Sequence, residues 1–273
     1  MARIQSLAVL LSTTGNDYLA EQYGAVIENV QKETISAALK NTALSGTPGA
    51  GTYEAKRFVN TTSKTYGTAR GAGAGEKVKA KPITVPVNVD KEIVVEVEQK
   101  DVTLYGVDDL ITREANNAQR AMIRELERAF FAEAVNAGTA FTPESGTAIN
   151  DAIEGLIQSV ETVQNDFVDG VPRDMIAVVC NPATYGQLRT YFDAIQHDAT
   201  SEAIATFHGV KVYSSVYLPT GTKAVAMAEG AIAQPVLPTV APAERIQLSN
   251  AIGFGIFYSY GTKAVAEDLI FKY

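Results

Sequence analysis

Hydrophobic positions along this chain change period from one stretch to the next, and each change marks an element. In NDYLAEQYGAVIENVQKETISAALK, Asn16 to Lys40, apolar or small residues recur at Leu19, Tyr23, Val26, Ile27, Val30, Thr34, Ala37 and Ala38. That i, i+3, i+4 spacing predicts an amphipathic helix with Asn16 or Asp17 as its N-cap. NTALSGTPGAG then breaks it with glycine and proline. Further on the period becomes two: Ile83, Val85, Val87, Val89, Ile93, Val95 and Val97 all fall on odd positions, and only Lys91 interrupts. Such alternation predicts a strand with one buried face, and this run would extend roughly 50 Å at ~3.3 Å per residue. TYEAKRFVNTTSKTYGTAR, just before, is rich in Thr, Tyr and Val without a helical period. Together they predict a long two-stranded ribbon with YGTARGAGAGEK as its tip.

GVDDLITREANNAQRAMIRELERAFFAEAVNAG predicts one long helix, capped by Asp108 or Asp109 and ended by Gly138. Its apolar stripe runs through Ile111, Ala115, Ala118, Met122, Leu126, Ala129 and Val135, with Asp109–Arg113 and Glu125–Arg128 as surface pairs. A second helix is predicted from Ile149 to Gln164. From Asp174 the texture becomes short α/β alternation. DMIAVVC reads as a buried strand, NPATYGQLRTYFDAI as a helix opened by Asn181 with Pro182 at N1, and GVKVYSSVYLP as a strand pair turning near Pro219–Gly221. TKAVAMAEGAIAQP reads as a returning strand. The tail, RIQLSNAIGFGIFYSYGTKAVAEDLIFKY, predicts two antiparallel strands turning at Gly261–Thr262.

The glycine-rich tip invites a phosphate-loop reading, which the spacing excludes. A Walker loop needs G-x-x-x-x-G-K-[S/T], but Gly75 is followed by Glu76, Lys77 and Val78. Gly71 and Gly73 begin a dinucleotide pattern whose third glycine position is Glu76, a carboxylate that repels phosphate. Both motifs also require a helix directly after the glycines, and a proline-containing strand follows.

Other chemistry is sparse. The two histidines, His197 and His208, have no neighbours at metal-ligand spacing. Cys180 ends a predicted strand and reads as a small core hydrophobe. DFVDG, Asp166 to Gly170, lacks the alternating ligands of a calcium loop and reads as a helix-ending turn. The residues yield no catalytic, cofactor-binding or metal-binding assignment, so no enzyme and no cofactor is expected. A single cysteine excludes an intrachain disulfide and suits a reducing compartment. No stretch approaches the ~20 apolar residues of a membrane span, and Leu7–Leu11 is too short for a secretory signal, which needs about 7–15.

Charge gives the ribbon its meaning. The net charge is −8, yet Tyr53 to Lys81 carries Lys56, Arg57, Lys64, Arg70, Lys77, Lys79 and Lys81 against Glu54 and Glu76. That local excess of +5 leaves −13 on the rest of the chain. A lone ribbon is marginal in water and exposes its edges to other chains. The favoured reading is a basic arm contacting an acidic neighbouring subunit. A solvated hairpin and a nucleic-acid arm using Tyr53, Phe58 and Tyr66 are the alternatives.

The order of these parts resembles the major capsid proteins of tailed bacteriophages. DKEIVVEVEQKDVT leading into QRAMIRELERAFFAEA is similar to their strand-to-spine-helix passage. VVCNPATYGQLR and GVKVYSSVYLPTG are similar to their axial lobe, and FYSYGTKAVAEDLIFKY to their closing strands. The resemblance implies an α+β Johnson fold, also called the Hong Kong 97-type capsid fold. In that frame residues 1–51 are an N-terminal arm and 52–85 the E-loop hairpin. Residues 86–170 and 236–273 form a peripheral domain with a spine helix at 106–136, and 171–235 an axial domain. It implies a homo-oligomer of pentamers and hexamers tiling an icosahedral shell around double-stranded DNA, with scaffolding and portal partners. The shell would be assembled in the host cytoplasm and retained in the virion, with no membrane association. An encapsulin nanocompartment shares these parts and is the alternative. A nucleotide-binding enzyme would need the glycine tip to bind phosphate.

Overall fold

Ser12, rather than Asn16 or Asp17, opens the long N-terminal helix. Its hydroxyl accepts a hydrogen bond from the Gly15 amide, and α2 runs Thr13–Glu33 behind a short α1, Leu7–Leu10. Asn16 is used elsewhere: its Oδ1 accepts the Ala243 amide at 2.9 Å. Ala243 lies in a register shift of its strand, where a bulge frees an amide from the ladder and a side chain must take it.

The computed structural model describes residues 7–46, 51–68, 75–98, 100–102, 106–194 (backbone alone at 192–194), 206–247 and 249–273. Arg70, Gly71, Gly73 and His197 lie outside them. Two compact units result: one from Met1–Ala38, Val87–Glu127 and Pro235–Gly261, the other from Leu39–Pro86, Arg128–Gln234 and Thr262–Tyr273.

In the first unit an antiparallel sheet, ordered β11 (Val236–Arg245), β12 (Ala251–Tyr260), β4 (Val89–Glu98), packs its inner face on helices. Leu19, Tyr23, Val26 and Val30 of α2 are buried, and the Tyr23 ring meets Phe254 edge-on at 6.1 Å. The predicted helix does not reach Lys40 unbroken. Thr34 is extended (φ −83°, ψ 138°), donates its hydroxyl to Val30 O, and accepts the Ala37 amide, so a separate α3 begins at Ile35 and ends at Leu39. Glu127, 2% exposed, accepts the Ser36 amide at 2.8 Å.

The long helix, α4, is Val107–Ala137. At ~1.5 Å per residue it spans roughly 45 Å. Asp108 and Asp109 sit inside its first turn, where carboxylates complement the helix dipole, rather than at the cap. The predicted stripe holds through Leu126 and then turns: Phe130, Phe131 and Ala134 are buried, while Ala129 and Val135 are half-buried.

The second unit holds β1 (Leu44–Ser45), β2 (Thr52–Phe58) and β3 (Ala80–Pro86) in one small antiparallel sheet. The predicted two-stranded ribbon therefore gains a third, short strand at its root. The fifteen-residue alternation is also not one strand: it breaks at Val87–Asn88, β3 staying with β2 and β4 joining β12. Period-2 alternation survives such a break unchanged, so the pattern alone did not reveal it.

A six-stranded mixed sheet completes this unit, ordered β5 (Thr139–Ala140), β14 (Ile270–Lys272), β9 (Ala224–Ala228), β6 (Ile176–Cys180), β8 (Val210–Ser214), β7 (Thr206–Phe207). β6 and β9 are buried throughout, and α5 (Ile149–Glu161) contributes Ile153, Leu156, Ile157 and Val160 to the core. α6 (Pro182–Ala194) is capped as predicted, Asn181 Oδ1 accepting the Thr184 amide at 2.7 Å. The predicted pair within GVKVYSSVYLP is one strand, β8, whose antiparallel partner is β7. The predicted C-terminal hairpin is absent. β12 pairs with β11 and β4, β13 (Lys263–Ala264) with β10 (Ile232–Ala233), and β14 with β9 and β5.

Two substitutions test this packing. Gly255 lies where a Cβ would sit 2.1 Å from Ile93 O and 2.9 Å from Val94 Cα, so alanine forces β12 away from β4. Gly255→Ala should cost ~1–3 kcal/mol in urea unfolding. The Tyr23 hydroxyl is buried without a partner, and burial, then the Glu114 charge, pushes its pKa up to about 12. Tyr23→Phe should hold stability level or raise it by up to ~1 kcal/mol.

Candidate functional site

The root of the β2–β3 hairpin is fixed by a small core and one ion pair. Ala55 and Val85 are buried with Ala233 and Val265, and Leu44, Tyr53 and Ile83 pack around them. Arg57 lies on the strand beside this core. Its guanidinium donates two parallel hydrogen bonds to Asp268, at 2.5 and 2.7 Å, and stacks 4.7 Å over the Phe167 ring. Asn165 donates to the same carboxylate. Burial pushes the Asp268 carboxyl up, but the bonds from Arg57 and Asn165 outweigh it and hold the pKa below the usual carboxylate range. The Asn60 amide donates to Asp166 O at 2.8 Å, so the turn predicted at 166–170 serves as a rest for the arm. An open cleft of about 790 Å³ runs along this root, lined among others by Lys81, Ile83, Asn165, Val265 and Glu267.

Beyond the root the arm is exposed. Val59 still bonds Lys79 O, and Glu76 accepts the Thr62 amide at 2.9 Å, bracing the two sides. The carboxylate that breaks both phosphate motifs is thus occupied as a cross-brace. Phe58, Tyr66 and Val78 are 58%, 90% and 80% exposed. Lys56, Lys64, Lys77, Lys79 and Lys81 are exposed as well. No ion pair among the described residues engages Lys56, Lys77, Lys79 or Lys81. Arg57 stands apart from that set, because its charge is spent inside the chain. The sequence marked Arg57 as basic but gave no sign of its partners Asp268, Asn165 and Phe167, which lie more than a hundred positions away.

A second polar cluster is also structural. Arg173 bonds Glu154 and Glu161, and His208 Nδ1 lies 2.9 Å from Glu154 Oε2. Hydrogen bonds, Arg173 first, hold the Glu154 carboxyl near a pKa of about 2 despite its burial. Such an acid is ionised at neutral pH and unsuited to donate a proton. His208 occupies the β7–β8 turn with φ +48° and stacks on Phe207. Cys180 is fully buried, and burial pushes its pKa up to about 12, so the thiolate that would act as a nucleophile is suppressed. Among the described residues no group of three or more His, Cys, Asp or Glu could hold a metal.

The phage capsid protein family matches residues 84–269, two thirds of the sequence. The chain belongs to that family. Its fold is the Hong Kong 97-type fold of solved capsids. A chain of Mycobacterium phage Che8 superposes at TM-score 0.61 and 17% identity, covering 100% of this chain and 92% of that one. The capsid of cyanophage P-SCSP1u gives 0.61 and 15%, covering 88% and 87%. The virus-like particle from Pyrococcus furiosus gives 0.59 and 12%, covering 94% and 99%. A comparison with curated proteins finds no match. As a phage capsid protein the chain is structural rather than enzymatic.

Arg57→Ala should lower stability by ~2 kcal/mol, because it leaves the half-buried Asp268 carboxylate without its cation. Limited proteolysis should then cut first near residues 59–79. The folded-state pKa of Asp268 is depressed, so its contribution is present above the ordinary carboxylate pKa and disappears as pH falls through the lowered value. Asp268→Asn should therefore flatten the stability loss below about pH 4, measured by denaturation across pH.

Proposed function

We propose that this chain is the major head protein of a tailed bacteriophage, assembling through pentamers and hexamers into an icosahedral shell around double-stranded DNA. The observation that carries this is the family match over residues 84–269, together with an exposed hairpin that projects from a well-fixed root. Residues 1–51 act as the N-terminal arm and 52–85 as the E-loop, which lies on a neighbouring subunit. Residues 86–170 and 236–273 are the peripheral domain with its spine at 106–136, and 171–235 the axial domain meeting its copies at capsomer centres. Lys56, Lys64, Arg70, Lys77, Lys79 and Lys81 supply the arm's intersubunit charge, and Arg57 orients it. Shell assembly takes place in the host cytoplasm with scaffolding and portal proteins, and the subunit remains in the virion. A net charge of −8 suits a container that holds DNA without clamping it.

The superposition on the Pyrococcus furiosus virus-like particle favours a second reading, an encapsulin-type shell that carries protein cargo. Negative-stain electron microscopy of the largest species formed by the chain expressed alone tests both. Closed polyhedra containing nuclease-protected DNA when co-expressed with the neighbouring phage genes support the head-protein reading. Closed polyhedra that form unaided around a co-purifying enzyme support the nanocompartment. Stable monomers under every assembly condition would overturn both.

A further inference from the structure

The small sheet at the arm's root is ordered β1, β2, β3, so β3 is an edge strand, and among the described residues no strand pairs with its far side. One contact fixes its hydrogen-bonding phase. Val59 N donates to Lys79 O at 3.0 Å, and these two residues continue the register that pairs Phe58 with Ala80 and Lys56 with Pro82. In an antiparallel pair, residues that bond each other directly alternate with residues whose N–H and C=O point away. Lys79, Lys81, Ile83 and Val85 therefore turn their backbone groups to β2, and Ala80, Pro82, Thr84 and Pro86 turn theirs to the free edge. Two of these four outward positions are proline, which has no N–H to give. All four side chains are exposed.

What the prolines oppose is written in the same stretch. ITVPVNV, Ile83 to Val89, has no charged residue and carries a β-branched residue at every odd position. An uncharged window of about six or seven strand-forming residues is the pattern that pairs with other chains, and Pro86 interrupts it. The edge strand β11 of the first unit is built the same way. Gly261 donates to Pro235 O at 3.3 Å, so Pro238, three positions along, has its nitrogen on the outward side. The Ala243 amide at the bulge is taken by Asn16. The central strands β2 and β12 contain no proline.

We infer that Pro82 and Pro86 close the free edge of β3 to strand addition, by another copy of this chain or by any other extended segment. A strand laid along that edge would find donors only at Ala80 and Thr84, roughly 13 Å apart at ~3.3 Å per residue. Its own carbonyls opposite the prolines would go unpaired. The edge therefore stays open to water in the unassembled chain, and whatever meets it does so through side chains. This goes beyond the shell reading and does not rest on it.

Three full-length proteins test it: Pro82→Thr/Pro86→Thr, the same pair with Thr84→Pro added, and Pro82→Thr alone. Every change falls at an exposed, outward-facing position, so the β2–β3 ladder is untouched and circular dichroism should show the wild-type fold. Association is followed by sedimentation velocity after nuclease treatment, particle shape by electron microscopy, and backbone pairing by hydrogen exchange. The double variant should form non-polyhedral aggregates about tenfold faster than wild type or more, with new exchange protection within residues 80–86. Adding Thr84→Pro should restore wild-type association, because it returns a proline to the same side of the strand. Pro82→Thr alone should show the same effect to a lesser degree, and it decides the question if the double variant does not fold. Wild-type association from the folded variant would overturn the inference. So would aggregation whose protection lies outside residues 80–86, aggregation that Thr84→Pro leaves unchanged, or a slowly exchanging Thr84 amide in oligomers of the wild-type chain.

Discussion

An arm that cannot bury itself has to be held by something that can, and in this protein that task falls to the Arg57–Asp268 pair and the small core beside it. Two parallel hydrogen bonds fix the orientation of a planar guanidinium as a single contact from a lysine would not. Phe167 stacks on one side, and Asn165 takes a further position on the carboxylate. The pair is largely sheltered from solvent, so salt screens it less than it screens the exposed lysines farther out. Direction is thereby set at the root, and the outer hairpin stays exposed beyond it.

Charge is divided along the same line. The segment from Tyr53 to Lys81 has an excess of +5 on a chain of −8. Inside the units, ionised groups are tied to one another, as in the Arg173, Glu154, Glu161 and His208 cluster, and serve packing. On the arm and on the outer face of the β4 sheet, charges of opposite sign stand in water. Those two surfaces are built from neighbouring stretches, β3 and β4, separated only by Val87 and Asn88.

Much of this was legible from residue order. The helical period located α2 and α4, Asn181–Pro182 announced α6, and the run IAVVC announced a buried strand. Errors arose wherever a local pattern had two structural solutions. Asn16 and Ser12 both suit an N-cap, and the choice went to Ser12 because the bulge at Ala243 needed Asn16. Thr34 fits a helical stripe, yet its hydroxyl also caps a new helix.

The sequence by itself determined the kinds of element and the basic arm, because period, proline and glycine placement and charge act over a few neighbouring residues. Only the tertiary structure decided partners. It split the alternation from Ile83 to Val97 between two sheets and sent the C-terminal strands to β10 and β9 instead of to each other. It also withdrew Arg57 from the arm's free charge by bringing Asp268 beside it. Strand pairing and ion pairing join residues far apart in the chain, and a period-2 pattern records which face is buried without recording against what.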